Sequence, residues 1–345
     1  MKLVEYAAFS GDTLWLLSPT GFSRPCGRLF SLDVRNRRLT ELHIPSSGRV
    51  ERFLVLPGGK ILVASSGREL WEYSSGKMKF VSSLPASPLP ELWGRYGIGK
   101  NSTLRQLWES GMIKGKGNPA GDRIHHMIPD RSGIIILTPA SVLRYDLMTD
   151  AWNVVCLQHL VPRGLMMSAF FPGDGYCYQG TWNGEDGGDL KRINITTGAV
   201  EILYEGTIPV TSLVQDPWHP GTALFSTGMW HTGWNEGGIF RATGDMEPVF
   251  SGGAVFSMKS GRESITAATP GGVFRICRDG SAERYDYPPY ESYEGVELVS
   301  DPRFGTLVRT HIYQSMMVCG AAAIFPEGEQ ELSHVLRSLS ESNND

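Results

Sequence analysis

Two segments of the chain combine side chains that can hold a ligand. Gly180–Gly188 reads GTWNGEDGG and Gly228–Gly238 reads GMWHTGWNEGG. The first offers Trp182, Asn183 and Glu185; the second offers Trp230, His231, Trp234, Asn235 and Glu236; both close on a glycine pair. Indole faces stack on the C–H faces of sugar rings while amides and carboxylates take the hydroxyls, and the same rings anchor peptides and protein surfaces. A structural reading stands beside this one. The Trp-Asn units would then brace neighbouring elements, and the glycine pairs would let two backbones approach.

Further groups extend the list. Trp93 and Tyr96 lie in a proline-rich stretch with Arg95 and Trp108, Phe22 and Arg24 lie early in the chain, and Tyr290, Glu291, Tyr293 and Glu294 lie late. A carboxylate pair such as Glu185 and Glu236 could act as acid and base on a glycosidic bond, or His231 with Tyr293 could abstract a proton. His125 or His126, His231 and His311 could meet at one site with Glu185 or Glu236. Their spacing follows no metal motif, because the chain has no HxH, no HExxH and no paired cysteines. No metal and no cofactor is therefore expected. GRYGIGKNS (Gly94–Ser102) falls short of a phosphate-binding loop, since Asn101 stands where Ser or Thr must hold magnesium. Asn194-Ile195-Thr196 fits a glycosylation acceptor but reads better as an ordinary tight turn.

These residues must be positioned by something, and an internal repeat supplies it. Leu29–Ile44, Leu70–Leu84, Val142–Leu157, Leu190–Tyr204, Ile239–Phe250 and Val273–Tyr287 are the same sentence written six times: an apolar strand, a short polar turn, a second strand. An apolar strand pair precedes each. Copies start at Val4, Val50, Ile124, Met167, Val210, Val255 and Val296. That interval suits a four-stranded blade, and the expected fold is an all-β propeller with seven four-stranded blades, six being possible and the last irregular. The propeller is expected to be one domain over 1–325, interrupted by an insertion at 85–122 between the second and third blades. The tail 326–345 is expected to carry a short helix near Gln330–Leu339.

A blade is a meander, so its loops alternate between two faces. The first-to-second and third-to-fourth strand loops are short; the second-to-third loops and the connections between blades are long. One face is trimmed and the other elaborated, and Trp182, Trp230 and Trp234 all fall on the elaborated one. Long loops on a rigid scaffold are where binding concentrates.

Composition excludes several classes. The 345 residues carry a net charge of −4, so no basic field draws nucleic acid or anionic lipid. No run of apolar residues is long enough for a membrane span. The N-terminus reads as a strand pair rather than a secretory leader, and the five cysteines fall at scattered spacings. Together these point to buried free thiols and a cytoplasmic protein.

Finally, VLRYDLMTDAWNVV (Val142–Val155) resembles the outer hairpin of kelch-type blades, where a Tyr-Asp strand turns into a Trp strand. Tyr178–Ile193 and Phe225–Ala242 resemble blades of sialidase-like and sensor-type propellers, with a Gly-rich bend between second and third strands. The resemblance implies the fold, but it carries over no catalytic residue: Pro139-Ala140-Ser141 stands in place of the kelch double glycine, and the sialidase Asp-box is absent. The residues thus favour a non-catalytic propeller that binds a protein segment or a glycan through its long-loop face. A carbohydrate-active hydrolase or lyase, and a scaffold subunit of a larger complex, are the alternatives.

Overall fold

The computed structural model describes residues 6–17, 27–36, 38–46, 48–86, 124–159, 161, 166–182, 187–231, 234–243, 245–285, 295–301, 305–312 and 318–324. They form antiparallel sheets whose strands follow chain order. The first sheet holds Tyr6–Ser10, Thr13–Leu17, Leu29–Asp33 and Arg38–Leu42 (β1–β4), and the second Val50–Val55, Ile61–Ser65, Glu69–Ser74 and Lys77–Ser83 (β5–β8). The third holds His126–Pro129, Gly133–Leu137, Ser141–Asp146 and Ala151–Cys156 (β9–β12), and the fourth Met166–Phe170, Tyr176–Trp182, Gly188–Asn194 and Val200–Gly206 (β13–β16). Val210–Gln215, Ala223–His231, Trp234–Arg241 and Pro248–Phe250 (β17–β20) make the fifth. Ser257–Ser260, Ser264–Thr269, Gly272–Cys277 and Ala282–Tyr285 (β21–β24) make the sixth. A last sheet has Gly295–Asp301, Gly305–Ile312 and Val318–Ile324 (β25–β27).

The innermost strands stand side by side in the order β1, β5, β9, β13, β17, β21, β25, and β25 returns to β1. The fold is a β-propeller. The expectation of seven four-stranded blades is corrected: six sheets have four strands and the last has three. The apolar run Val318–Ile324 forms the third strand there, and the charged tail 326–345, with the helix expected in it, lies outside the described residues.

The strand pattern follows from where the core sits. Sheets of a propeller pack face to face, so both faces of a second strand are covered. Accordingly every residue of Ile61–Ser65 and of Gly133–Leu137 is buried. The fourth strands lie at the outer edge and are half-buried to exposed throughout, as Arg38–Leu42 and Ala151–Cys156 are. Among the described residues, the five seams from the first blade to the sixth each hold their own apolar cluster. Leu54, Leu62, Ile134, Ile136 and Leu143 fill the seam of the second and third blades; Tyr178, Leu190, Val210 and Phe225 fill that of the fourth and fifth. Each such buried side chain contributes about 1.5–3 kcal/mol. Polar groups also cross the seams: the Trp152 indole donates to Ser82 Oγ at 3.0 Å, and Met258 N donates to Ser212 Oγ at 3.1 Å.

The turns are closed by their own side chains. Asn194 Oδ1 accepts from Thr196 N and Thr197 N at 2.9 Å each, which gives this asparagine a turn-forming role. Asp146 Oδ1 does the same for Met148 N and Thr149 N at 2.8 and 2.9 Å, and these bonds hold its carboxyl below the usual carboxylate value. No described helix is long and apolar enough to cross a membrane.

Candidate functional site

The loops after β14 and after β18 open on the same face of the ring. Trp182, the last residue of β14, stacks on Phe256 with ring centroids 6.5 Å apart and planes 26° from parallel. Phe256 sits just ahead of β21. Asn235 Oδ1, beside the second loop, accepts from Ala254 N at 2.8 Å on that same inter-blade connection. The two Trp-bearing segments and the connection between the fifth and sixth blades therefore form one rim.

Register decides which way each side chain points. In the fifth blade Trp234 lies opposite His231, Asn235 opposite Trp230, and Glu236 opposite Met229. Further down the same strands, Phe225 and Phe240 pack into the seam with the fourth blade, and Leu224 and Ile239 into the seam with the sixth. Side chains alternate along a strand. Trp234 and Glu236 thus share the face toward the fourth blade, and Asn235 takes the opposite face, where its bond to Ala254 is found. Trp182 shares the parity of Tyr178, which packs toward the fifth blade.

The glycines that flank these loops lie close to neighbouring backbone. Gly187 and Gly237 have positive φ, 80° and 145°. A Cβ on Gly187 would overlap the carbonyl oxygen of Gly206, and one on Gly237 that of Thr227, so each glycine pair admits a close backbone approach. Gly253, φ 103°, leaves the space that the Asn235 amide occupies. At the root of the first loop, Thr181 Oγ1 donates to Asp189 Oδ1 at 2.9 Å and accepts from Asp189 N at 3.1 Å, while Asp189 pairs with the buried Lys191.

Of the residues singled out from sequence, Trp182, Trp234, Asn235 and Glu236 come together at this rim. Trp234 is 61% exposed, and Asn235 and Glu236 are exposed. Glu236 has no hydrogen bond or ion pair among the described residues. Trp230 and His231 are placed by their backbone in β18. Asn183, Glu185, Trp93 and Tyr96 lie outside the described residues, as do Phe22, Arg24, Tyr290, Glu291, Tyr293, Glu294 and nearly all of the 85–122 insertion. Sequence reasoning missed Phe256 and Ala254. The Gly252-Gly253 pair just before an aromatic strand start was the available signal.

Of the histidines singled out, His125 and His126 have described side chains, whereas those of His231 and His311 lie outside the described residues. His125 is buried where the chain enters β9, and its carbonyl accepts from Arg52 Nε at 2.9 Å. Glu51 Oε2 accepts from Ile124 N at 3.0 Å, so two charged side chains of the second blade grip the end of the insertion. The structure gives these groups a positioning job. No cluster of three or more His, Cys, Asp or Glu side chains suited to a metal ion occurs among the described residues. Burial pushes the Cys177 thiol well above its usual range, which makes it an unreactive core group.

The chain is a β-propeller, and its long-loop face exposes Trp234, Asn235 and Glu236. No family model matches the sequence, and no curated protein does either. Two solved structures place the fold. One is a GH74 xyloglucanase from Xanthomonas campestris, 15% identical with a TM-score of 0.53 over 89% of this chain and 50% of that one. The other is a catalytically inactive virginiamycin B lyase from Staphylococcus aureus crystallised with quinupristin, 11% identical with a TM-score of 0.51 over 93% of this chain and 97% of that one. The chain spans about half the length of the xyloglucanase. At such identities the likeness concerns fold alone.

Proposed function

We propose that this protein is a binding propeller and that its long-loop face, at the seam of the fourth and fifth blades, holds a protein segment or a glycan. One observation carries the reading. Trp234 is 61% exposed at the tip of a hairpin that is pinned by the Asn235–Ala254 bond and by the close approach at Gly237. A large apolar ring held in water on a rigid mount has its desolvation and ordering prepared for a partner. Trp182, stacked on Phe256, forms the inner wall of the same site.

The three-stranded last sheet stands between the sixth blade and the first, and we read it as a seventh, reduced blade. Of the carboxylates invoked for catalysis only Glu236 falls among the described residues. A scaffold role would use the insertion at 85–122 and the tail 326–345 as docking elements. The free Cys156, Cys177 and Cys277 fit the cytoplasmic placement, which cell fractionation would test.

The test is capture of a glycan on an array, or of one identified protein from lysate, by wild type and Trp234→Ala. Loss of capture with an unchanged melting temperature supports the proposal. A fall in melting temperature with capture intact would mean that the indole braces the fold.

A further inference from the structure

We infer that the last blade is completed by the chain's own continuation: residues 329–336 form its fourth strand, antiparallel to β27, and cover the edge of that strand. The inference is independent of the binding reading above.

Among the described residues β27 is the outer edge of its sheet, yet its sequence is that of a covered strand. It pairs with β26 without a bulge, from Thr306 opposite Ile324 to Ile312 opposite Val318. It reads VCGAAAI, with no charged residue and no proline. Edge strands are commonly guarded by charges, proline or bulges, because their unpaired N–H and C=O groups accept any extended chain. The outer strands of the complete blades follow that rule. Arg38–Leu42, Lys77–Ser83, Val200–Gly206 and Ala282–Tyr285 carry charges, and Pro248–Phe250 opens on proline; only Ala151–Cys156 has neither.

The repeat names the occupant. In every complete blade the chain turns straight from the third strand into the fourth, the shortest step being Ser74 to Lys77 and the longest Arg241 to Pro248. After Ile324 come Phe325-Pro326-Glu327-Gly328, with proline and glycine at the second and fourth positions of a type I turn. Turns of that length join Asp33 to Arg38 and Asp146 to Ala151, and each sets its flanking residues opposite one another. The same turn sets position 329 opposite Ile324 and position 334 opposite Cys319. Residues 329–336 read EQELSHVL, which mixes carboxylates with branched apolar residues as Arg38–Leu42 and Val200–Gly206 do. Leu332, Val335, Leu336 and Leu339 also fit one face of a helix. A helix spends its N–H and C=O groups internally and has none to offer the β27 ladder, whereas a strand satisfies it.

Disulfide scanning of the full chain tests this. Opposed residues of an antiparallel pair lie about 4.5–5.5 Å apart at Cα, within reach of a disulfide. His334→Cys should therefore crosslink to Cys319 under mild oxidation, read by mass after cleavage at the glutamates between them. Ser333→Cys and Val335→Cys, which a strand turns to its other face, should crosslink at least about tenfold less. Hydrogen exchange of wild type gives a second readout. A covered β27 protects every amide of Val318–Ile324, while an open edge leaves about half of them unpaired and fast. Full protection with the alternating crosslinks supports the inference. Crosslinking at 333, 334 and 335 alike, or at none of them, overturns it, as does fast exchange of alternate β27 amides. Crosslinking from Ser338→Cys as well as His334→Cys also overturns it, because residues four apart share a face only in a helix.

Discussion

On the trimmed face Asp130 holds Arg144, Asp216 holds Arg241 and His219, and Asp146 and Asn194 close their own turns. On the long-loop face Trp234 stands in solvent and Glu236 is bonded to nothing among the described residues. The first arrangement completes its polar chemistry inside the molecule. The second holds the backbone just as firmly, through Asn235 and the glycine pairs, but leaves side-chain chemistry incomplete. Under the proposed binding role, stability and recognition are carried by different residues on different faces, and substitutions should separate them.

The largest loss of stability is expected on the trimmed face. Asp216 is buried and accepts from Arg241 Nε at 2.7 Å, from Trp218 N at 2.8 Å and from His219 N at 3.2 Å. Asp216→Asn leaves Arg241 short of its buried partner and should cost about 4 kcal/mol in urea unfolding, with ligand capture unchanged. Burial pushes the Asp216 carboxyl up, but the bonds from Arg241, Trp218 and His219 outweigh it and bring the pKa below the usual value. The folded value thus lies below the unfolded one. Its contribution is complete above the ordinary carboxylate range and is lost as pH falls through the folded value. Wild type should lose stability below about pH 4, and the Asp216→Asn curve should be flatter there.

Smaller losses are expected in the mount of the binding loop. Gly237→Ala forces a Cβ onto a residue at φ 145°, against the Thr227 carbonyl, and should cost about 2 kcal/mol together with ligand capture. Asn235→Ala removes one bond to Ala254 N and should cost about 1 kcal/mol, with capture weakened because the hairpin tip loosens. Trp234→Ala ends the series: a stability change within about 0.5 kcal/mol and complete loss of capture. If Trp234→Ala destabilised more than Asn235→Ala, the contrast between the two faces would collapse.

Much of the fold was legible because strand and turn are local events. Inner strands expected to begin at Val50 and Val210 begin there, and the six repeated hairpins supply the third and fourth strands of the six complete blades. The rim was legible only in outline. Trp182-Asn183 and Trp234-Asn235 are the same two letters, yet Trp182 turns onto Phe256 while Trp234 stays in water. Asn235 reads from sequence as a ligand group, and in the structure its Oδ1 also accepts from Ala254 N. Nothing near Asn235 in the chain distinguishes these roles, because its partner, Ala254, belongs to the connection leading into the next blade.

What the amino-acid order determined alone is the repeating meander, the choice of a long-loop face and the need for glycine pairs in two of its loops. All of these follow from alternation of apolar residues and from backbone sterics within a few residues. What only the tertiary structure decided is which polar groups are consumed and which remain. That depends on packing one sheet's edge loops against the next, which brings together groups such as Asp216 and Arg241 or Asn235 and Ala254 at distances the chain itself does not encode locally.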